Sequence, residues 1–570
     1  MTKNNSGIIK FTIGVTGHRD VAKQSYKLLR QALETQIQDI QKRFSTLPVE
    51  IICGLAEGAD ILVAQVALEM GIHIRAILPM PLEQYKEDFS EAGLKEFEEI
   101  ISHQGVELTE IPISVEQNLN RDSQYVLLKD YIFRRSNVLL ALWDNQVTGL
   151  PGGTSDVVLE YLSEDCTAPY IISETNVSRT TRPATDDDDG NLVIAIYTPR
   201  EATTDLDGIA QIEYLVSDGA PNALASLNAF PHKVSNRWQG FEKYVVDRHS
   251  NYATEYISYD LYEEGDQVLD EILQNLNGEF VRADQLAMAN QKFSDYLFKG
   301  FALAAGAMGF FFLAYAKLAA IKIFLLAYLC LFAVGYILFK LSKSRGWFGK
   351  HLAYRALAEA FRIKYYLTLS GNSGGVHCGR LLKMTRINRF KGIEWLYDVI
   401  RCSEPLIGRH SSSEGIDLIK TRWIKGQSDY LTKKLHALHK QHSRLEKIKS
   451  FLFFSSFIGI LALLFFKKEL YHMHIFSLDG KTLLVFLMGL LPLWLALWEL
   501  YQSKMAVREL SWQYANQQSI FAEASRRMSE KLNSSSYEAI ILGLAENSLT
   551  EIFQWTAQRF HREHEPPSAG

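Results

Sequence analysis

Three short stretches near the start of the chain combine glycine with side chains that can hold phosphate. They are Gly14-Val15-Thr16-Gly17-His18-Arg19-Asp20, Cys53-Gly54-Leu55-Ala56-Glu57-Gly58-Ala59-Asp60 and Pro151-Gly152-Gly153-Thr154. Each lies downstream of an apolar run and leads into a segment of helical spacing, the strand–turn–helix order of nucleotide-binding α/β domains. Glycine lets the backbone come close to a ligand, and a helix N-terminus offers free N–H groups to an anion.

Within the first stretch, Thr16 can donate a hydroxyl hydrogen bond, Gly17 permits the turn and Arg19 can pair with phosphate. Arg19 can equally be a surface residue at a helix start, paired with a nearby carboxylate. His18 can stack, donate a hydrogen bond or simply fill the turn. In the second stretch Gly54 and Gly58 suit close backbone approach around Leu55 and Ala56, and Asp60 can cap the following helix. Glu57 can bind ribose hydroxyls or act on an anomeric centre; it can also be a solvated first-turn acid favoured by the helix dipole. Gly152, Gly153 and Thr154 add backbone donors and a hydroxyl at a third helix start. If the pocket were catalytic, Arg19 and Glu57 would carry the chemistry. Arg200 follows a later strand and is a further candidate for the pocket.

The elements around these stretches alternate. Ile8–Val15, Val49–Cys53, Ile72–Leu78, Asn137–Trp143 and Leu192–Tyr197 read as short buried strands. Ser25–Phe44, Asp60–Met70, Leu82–His103 and Asp122–Ser136 read as helices, and another runs from Gly153 through Tyr161. That alternation predicts a parallel sheet covered on both faces. The tract Ser173–Gly190, with Asp186-Asp187-Asp188-Asp189, reads as a mobile surface loop whose carboxylates lack calcium-loop spacing. Residues from about Ile209 to Leu297 read as mainly helical.

Four apolar segments follow, Gly300–Ala316, Ile323–Phe339, Phe451–Phe466 and Thr482–Trp498. They come in tight pairs without internal charge, bracketed by Lys, Arg, Trp and Tyr, and are expected to cross a bilayer. Lys292, Lys299, Lys340, Lys343, Arg345, Arg444, Lys447, Lys449, Lys504 and Arg508 flank the side holding both termini. Only Lys317, Lys322, Lys467, Lys468 and Lys481 flank the other, so both termini are expected in the cytoplasm. Ala302, Ala305, Gly306 and Gly309 have the spacing of close helix packing. Each pair is preceded by a polar helix (Asp284–Leu297, Ser428–Ser450) and followed by a matching core, Leu357-Ala358-Glu359-Ala360-Phe361-Arg362 or Phe521-Ala522-Glu523-Ala524-Ser525-Arg526. This reads as a duplicated two-span unit. The expected division is 1–240 for the nucleotide-binding domain, 241–298 for a helical connector, and 299–450 and 451–570 for the two hairpin units.

Composition narrows the function classes. The 570 residues carry a formal net charge of -5 and an isoelectric point near 6.3, with no basic stripe interleaved with aromatics, so no nucleic-acid partner is expected. Mean hydropathy of -0.06 averages a polar N-terminal half and the four apolar segments. The five cysteines are scattered, without a CxxC pair, so neither a disulfide scaffold nor a zinc site is indicated. His436, His439 and His442 share one helical stripe but have no carboxylate partner and read as a solvated face. Met1–Ser6 is polar and reads as no secretory signal.

The stretch Cys53–Pro79, with Gly-Leu-Ala-x-Gly-x-Asp, a helix, Gly71 and a β run, resembles the SLOG superfamily. This is the Rossmann-like group that includes the Lonely Guy phosphoribohydrolases and DNA-processing proteins. Pro151-Gly152-Gly153-Thr154 is similar to the start of the Lonely Guy signature, and the resemblance spans roughly residues 8–200. The duplicated hairpin units, with Tyr354-Arg355-Ala356-Leu357-Ala358-Glu359-Ala360-Phe361-Arg362, resemble SLATT membrane effector modules. The resemblance implies a Rossmann-like parallel sheet followed by an all-α membrane domain with four transmembrane helices. Lonely Guy enzymes cleave nucleoside monophosphates with an Arg and the Glu of their signature. Here Ser155-Asp156 follows Thr154 and the nearest Glu is Glu160, which weakens the hydrolase implication and leaves binding intact. Sensor-type SLOG domains, in Thoeris effectors and melastatin-type channels, bind ADP-ribose or cyclic ADP-ribose isomers. The expectation is therefore a homo-oligomeric sensor-effector of the bacterial inner membrane, acting in antiviral defence by abortive infection. It would need no cofactor, only a nucleotide second messenger made by a separate enzyme. The rival expectation is a membrane-anchored nucleotide phosphoribohydrolase.

Overall fold

The computed structural model describes residues 9–111, 120–163, 177–185, 188, 190–202, 207–220, 222–263, 266, 270–371, 392–403, 412–475, 478–505, 507–529 and 534–562. Asp186, Asp187, Asp189, Cys166 and Cys378 therefore lie outside the described residues.

The N-terminal region is built on one nine-stranded sheet. Its strands are β1 (Phe11–Gly17), β2 (Val49–Cys53), β3 (His73–Leu78), β4 (Val106–Glu110), β5 (Val138–Trp143), β6 (Ser178–Arg182), β7 (Val193–Tyr197), β8 (Ile212–Ser217) and β9 (Ala223–Leu227). Their order is β4-β3-β2-β1-β5-β7-β8-β9-β6. Every pair from β4 to β7 is parallel. The centre is buried on both faces, β5 along its whole length, which is why these strands read as unbroken apolar runs.

Helices α1 (Tyr26–Lys42), α2 (Ala59–Glu69), α3 (Leu82–Tyr85), α4 (Glu91–Ile101), α5 (Arg121–Arg135) and α6 (Thr154–Ser163) connect the strands. In α1 the buried positions Leu29, Leu33, Ile37 and Ile40 recur at helical spacing.

Three expectations differ from what is observed. The helix expected over Leu82–His103 is interrupted: α3 ends in a 3-10 turn, and Ser90 starts α4 as its N-cap, accepting from the Gly93 N–H at 3.1 Å. The region after Ile209 opens with β8 and β9, a hairpin turning through Gly219 at φ +87°, so the sheet is mixed. β8 is antiparallel to both neighbours, and β6 runs parallel to β9. The acidic tract is also tied down in part, because β6 lies within it and Asp188 is buried against Arg182 at 2.7 and 3.0 Å.

The remainder is helical: α7 (His232–His249), α8 (Glu271–Lys317), α9 (Lys322–Arg345), α10 (Trp347–Leu369), α11 (Trp395–Cys402), α12 (Ser413–Leu418), α13 (Gly426–Phe465), α14 (Lys467–His472), α15 (Gly480–Met505), α16 (Val507–Met528) and α17 (Ser534–Arg562). Four of them, α8, α9, α13 and α15, contain stretches long and apolar enough to cross a membrane. Their large side chains are open to the surroundings; Phe451 and Leu464 are both 71% exposed. In water that would be a large penalty, whereas in lipid it costs nothing. Close packing at glycine is present: a Cβ on Gly309 would meet Leu493 of α15 at 1.9 Å, and one on Gly459 of α13 would meet Met488 at 2.3 Å.

The two hairpin units share a plan. A long helix enters the apolar layer, a second returns, and a third folds back along the first: α8, α9, α10 and then α13, α15, α16. The matching motifs sit on α10 and α16, where each glutamate is held by the arginine three residues on. Glu359 pairs with Arg362 at 2.8 Å and Glu523 with Arg526 at 2.7 Å. Arg355 extends the first copy to Asp284 of α8. Helices α7, α8 and α13 run unbroken through residues 240, 298 and 450, so the expected units are joined by continuous helices.

One hydrophobic core reaches from the sheet into this helical base. Helix α7 is the bridge. Trp238 packs edge-on to Phe11 of β1 at 4.7 Å, and Tyr244, two turns on, stacks on Trp395 of α11 at 5.5 Å.

Candidate functional site

Strand order reverses between β1 and β5: β2, β3 and β4 extend from one side of β1, and β7 continues beyond β5. In open parallel sheets, ligands bind outside the carboxyl ends of the strands at such a switch. The residues following β1, β2 and β5 at that end are the three glycine-bearing stretches.

The first two stretches touch. The Ala59 N–H donates to His18 O at 2.9 Å. Gly58 has φ +90°, and a Cβ there would lie 2.2 Å from Arg19 O and 2.7 Å from His18 O. Gly17 is equally confined, since its Cβ would meet that of Ala59 at 2.3 Å. These two glycines allow the loops after β1 and β2 to lie against each other. Thr16 is buried at the end of β1, in register with Ala141 of β5.

His18 is buried and held from both ring nitrogens. Arg200 Nη2 lies 3.0 Å from Nδ1 and Asp144 Oδ1 lies 2.9 Å from Nε2. Arginine can only donate, so Nδ1 accepts; Nε2 faces the Asp144 carboxylate and also lies 3.0 Å from the Asp144 backbone N–H, which donates to it. Arg200 Nε also donates to Asp144 Oδ2 at 2.7 Å, and its Nη1 reaches Asp20 at 3.3 Å. Burial alone would raise the Asp144 carboxyl; the hydrogen bonds from His18 and Arg200 outweigh it and hold the group well below the usual carboxylate range. Arg200 reaches the site because the chain after β7 crosses to the β1 loop, with the Ala22 N–H donating to Pro199 O and the Glu201 N–H to Asp20 O.

Arg19 points toward α5. Its Nη2 donates to the Tyr125 hydroxyl at 2.7 Å, and the hydroxyl donates in turn to Asp88. Arg121 Nη2 meets the other oxygen of Asp88 at 2.7 Å. A Cβ on Gly152 would sit 3.3 Å from Tyr125. Tyr125 is thus where all three loops meet: Arg19 hydrogen-bonds it, Gly152 packs on it, and its ring is 6.4 Å from that of Tyr85, whose hydroxyl donates to Gly54 O at 3.0 Å.

The second loop folds around Asp60. Gly58, not Asp60, is the N-cap of α2. Asp60 instead reaches back to accept the Ala56 N–H at 3.3 Å, beside Leu55, which is buried at φ +53°. Burial raises the Asp60 carboxyl to about 7 against the opposing hydrogen bonds and Arg19. Glu57 faces elsewhere. It accepts from Ser90 N at 2.9 Å and from the Ser90 hydroxyl, and sits where a Cβ of Gly93 would be. It is occupied at the start of α4, a carboxylate at a helix N-terminus.

The third loop is also occupied from within. Gly152, at φ +73°, donates its N–H to Asp156 Oδ2 at 2.7 Å, and Gly153 N–H donates to Leu150 O at 3.0 Å. Thr154 is buried at the start of α6. Lys129 of α5 meets Asp156 at 3.0 Å and pairs with Glu160. Asp156 and Glu160 thus share one lysine, with Lys129 and Asp156 buried and Glu160 partly exposed.

At its other end α5 meets the helical base. Arg401 of α11 is fully buried and donates to Ser136 O at 2.5 Å, the Tyr161 hydroxyl at 3.2 Å and Asn191 Oδ1 at 3.3 Å. Asn137 Nδ2 donates to Asp398 O at 3.2 Å, and Arg237 pairs with the Asp398 carboxylate at 2.8 Å. Helix α11, between the two hairpins in sequence, therefore closes the amino end of β5.

No protein-family model matches the chain, and no curated protein matches it either.

The structure gathers Thr16, Gly17, His18, Arg19, Gly54, Gly58, Asp60 and Gly152 into one region and turns Glu57 to its flank. Sequence reasoning did not find Tyr125, Asp88 or Asp144. Helical spacing places Tyr125 and Lys129 one turn apart on α5, but nothing local says that this face meets the loops.

Proposed function

We propose that this chain is a membrane-bound sensor-effector whose Rossmann-like, SLOG-type domain binds a nucleotide second messenger, NAD-derived and ADP-ribose-like. Binding would gate or assemble a membrane-disrupting pore. The carrying observation is the convergence of three glycine loops, two arginines and a tyrosine on the β1/β5 switch point, in a chain with four helices apolar enough to span a bilayer. Arg19 and Arg200 suit the phosphates, and Tyr125 gives a ring on which a base or ribose can rest.

The route to the membrane in this reading is α5. A ligand that displaced Tyr125 from Arg19 would bear on the helix whose far end Arg401 and Asp398 grip. A ligand biases two states only by binding them unequally, so the Arg19–Tyr125 bond is the contact expected to differ. The main contacts among the four spans run in the order α9–α8–α15–α13, and four spans enclose a wide aqueous path poorly by themselves, which supports homo-oligomeric assembly of any pore. The setting proposed is the bacterial inner membrane with both termini cytoplasmic, in antiviral defence by abortive infection, downstream of a separate signal-producing enzyme.

The hydrolase reading is weaker, because Glu57 is taken up by Ser90 and the Gly152 N–H by Asp156. The test uses the full chain in detergent with ADP-ribose, its cyclic isomers and cyclic nucleotides, following melting temperature and ligand integrity by chromatography. A fragment ending before Asp284 would lose Asp398 and Arg401 from the base of the domain. Stabilisation with intact ligand, followed by ligand-dependent leakage from liposomes, supports the sensor. Cleaved ligand makes the hydrolase primary, and no response to any nucleotide removes the pocket.

A further inference from the structure

The part of α8 just before its apolar stretch lines an open groove of about 370 Å³ with Tyr256, Met288, Gln291, Lys292, Asp295, Tyr296 and Lys299. That volume lies within the range of ligand sites. Apart from Tyr256, these residues lie on one face of α8, at spacings of three and four. Lys292 and Lys299 are exposed and about 10 Å apart along the helix. Lys299 immediately precedes Gly300, where the apolar segment begins. Lys292 Nζ sits 5.3 Å from the Tyr256 ring, and neither lysine forms an ion pair within 4 Å among the described residues.

Two further features set the level of this groove. Tyr296 is 61% exposed, and Phe293 stacks on Trp347 at 5.5 Å, where α9 gives way to α10 on the same side of the spans. Half-exposed aromatic side chains at the ends of apolar helices mark the headgroup layer of a bilayer. The lysines therefore stand at the depth of lipid phosphates, with their stems along the helix and their ammonium groups free to rise to the interface.

We infer that the Lys292–Lys299 groove is a binding site for the headgroup of an anionic glycerophospholipid. Lys299 and Lys292 would meet the phosphate and its flanking oxygens, Gln291 and the Tyr256 hydroxyl would meet headgroup hydroxyls, and Met288 and Tyr296 would line the apolar shoulder. Asp295, between the lysines, lies within electrostatic reach of both Lys299 and Arg559, so the groove keeps a positive balance that suits an anionic headgroup. The inference rests on the four helices spanning a membrane and is independent of what binds at the sheet.

The experiment places the full chain in nanodiscs of phosphatidylcholine with a minor fraction of phosphatidylglycerol and reads retained phosphatidylglycerol by native mass spectrometry. Lys292→Gln/Lys299→Gln is compared with Lys340→Gln/Lys343→Gln, which removes equal charge from the end of α9 outside the groove. Both pairs are on exposed positions, and melting temperature checks that the fold is kept. The expected result is that the groove pair weakens retention by about thirtyfold, the effect of two lysines at a charged surface, while the α9 pair changes it little. Equal retention in both variants, or equal loss from both, overturns the inference. So does displacement of the lipid by excess inorganic phosphate, which would make the groove a site for a soluble anion.

Discussion

Asp60→Asn should make the protein more stable, and only above mildly acidic pH. Asp60 is 7% exposed, and its carboxyl is raised to about 7 by burial, which the Ala56 N–H and Arg19 only partly offset. An unfolded aspartate titrates near 3.9. Because the folded value is the higher one, the folded state holds its proton longer. Stability is full below about pH 4 and is lost as pH rises toward and through 7. The gap of about three pH steps, at about 1.4 kcal/mol each, sets an upper bound of about 4 kcal/mol on that loss. Asparagine has the same shape, can still accept from Ala56, and has no charge to bury. The variant and the wild type should therefore melt together near pH 4 and separate by up to about 10 °C at pH 8. The assay is thermal unfolding of the full chain in detergent across that pH range. A variant displaced from wild type by a constant amount at every pH would mean that Asp60 is ionised throughout, and would refute the burial argument.

Asp144→Asn should show the opposite pH dependence. The wild-type carboxylate, held low by His18 and Arg200, contributes stability above about pH 4 that fades as pH falls below it. The variant should lose about 2–3 kcal/mol at neutral pH and converge on wild type in acid, read by the same melts. Gly58→Ala forces a side chain into φ +90° and against two carbonyl oxygens. It should cost about 3–5 kcal/mol and, on the proposed function, remove stabilisation by ADP-ribose, measured by melting with and without it. Arg401→Met removes the donor that serves Ser136 O, Tyr161 and Asn191. It should raise amide exchange at Val138–Trp143 while leaving the membrane spans protected, as read by hydrogen–deuterium exchange.

The parts of the site visible in the sequence are those with a local cause. Gly17 and Gly58 stand out because close approach of two loops leaves no alternative residue, and the central strands because burial on both faces makes them apolar throughout. The parts that were hidden depend on distant neighbours. Tyr125 matters only because strand order brings α5 across the β1 loop, and Glu57 is turned aside only because Ser90 breaks the expected helix beside it. β4 was missed because an edge strand, Val-Glu-Leu-Thr-Glu, is half solvated and shows no apolar run. β8 and β9 read as helical in the sequence because each is short and only Asp218-Gly219 marks the turn between them. The apolar spans were the most legible feature, since lipid imposes its demand on every exposed side chain at once.

Helix α11 carries an implication for how the molecule is made. The ribosome emits the whole sheet, then both helices of the first hairpin, and only then the residues that supply Asp398 and Arg401. Until that point Asn137, Tyr161 and Asn191 have no α11 to meet. The α/β region can collapse early, but its lower rim is sealed only after the first hairpin has left the exit tunnel. Chain order thus ties the closing of the sheet's lower rim to the placement of the first hairpin: a copy in which that hairpin is misplaced would not present α11 to Asn137, Tyr161 and Asn191. Its α/β region then lacks the partners that Asp398 and Arg401 supply at its base.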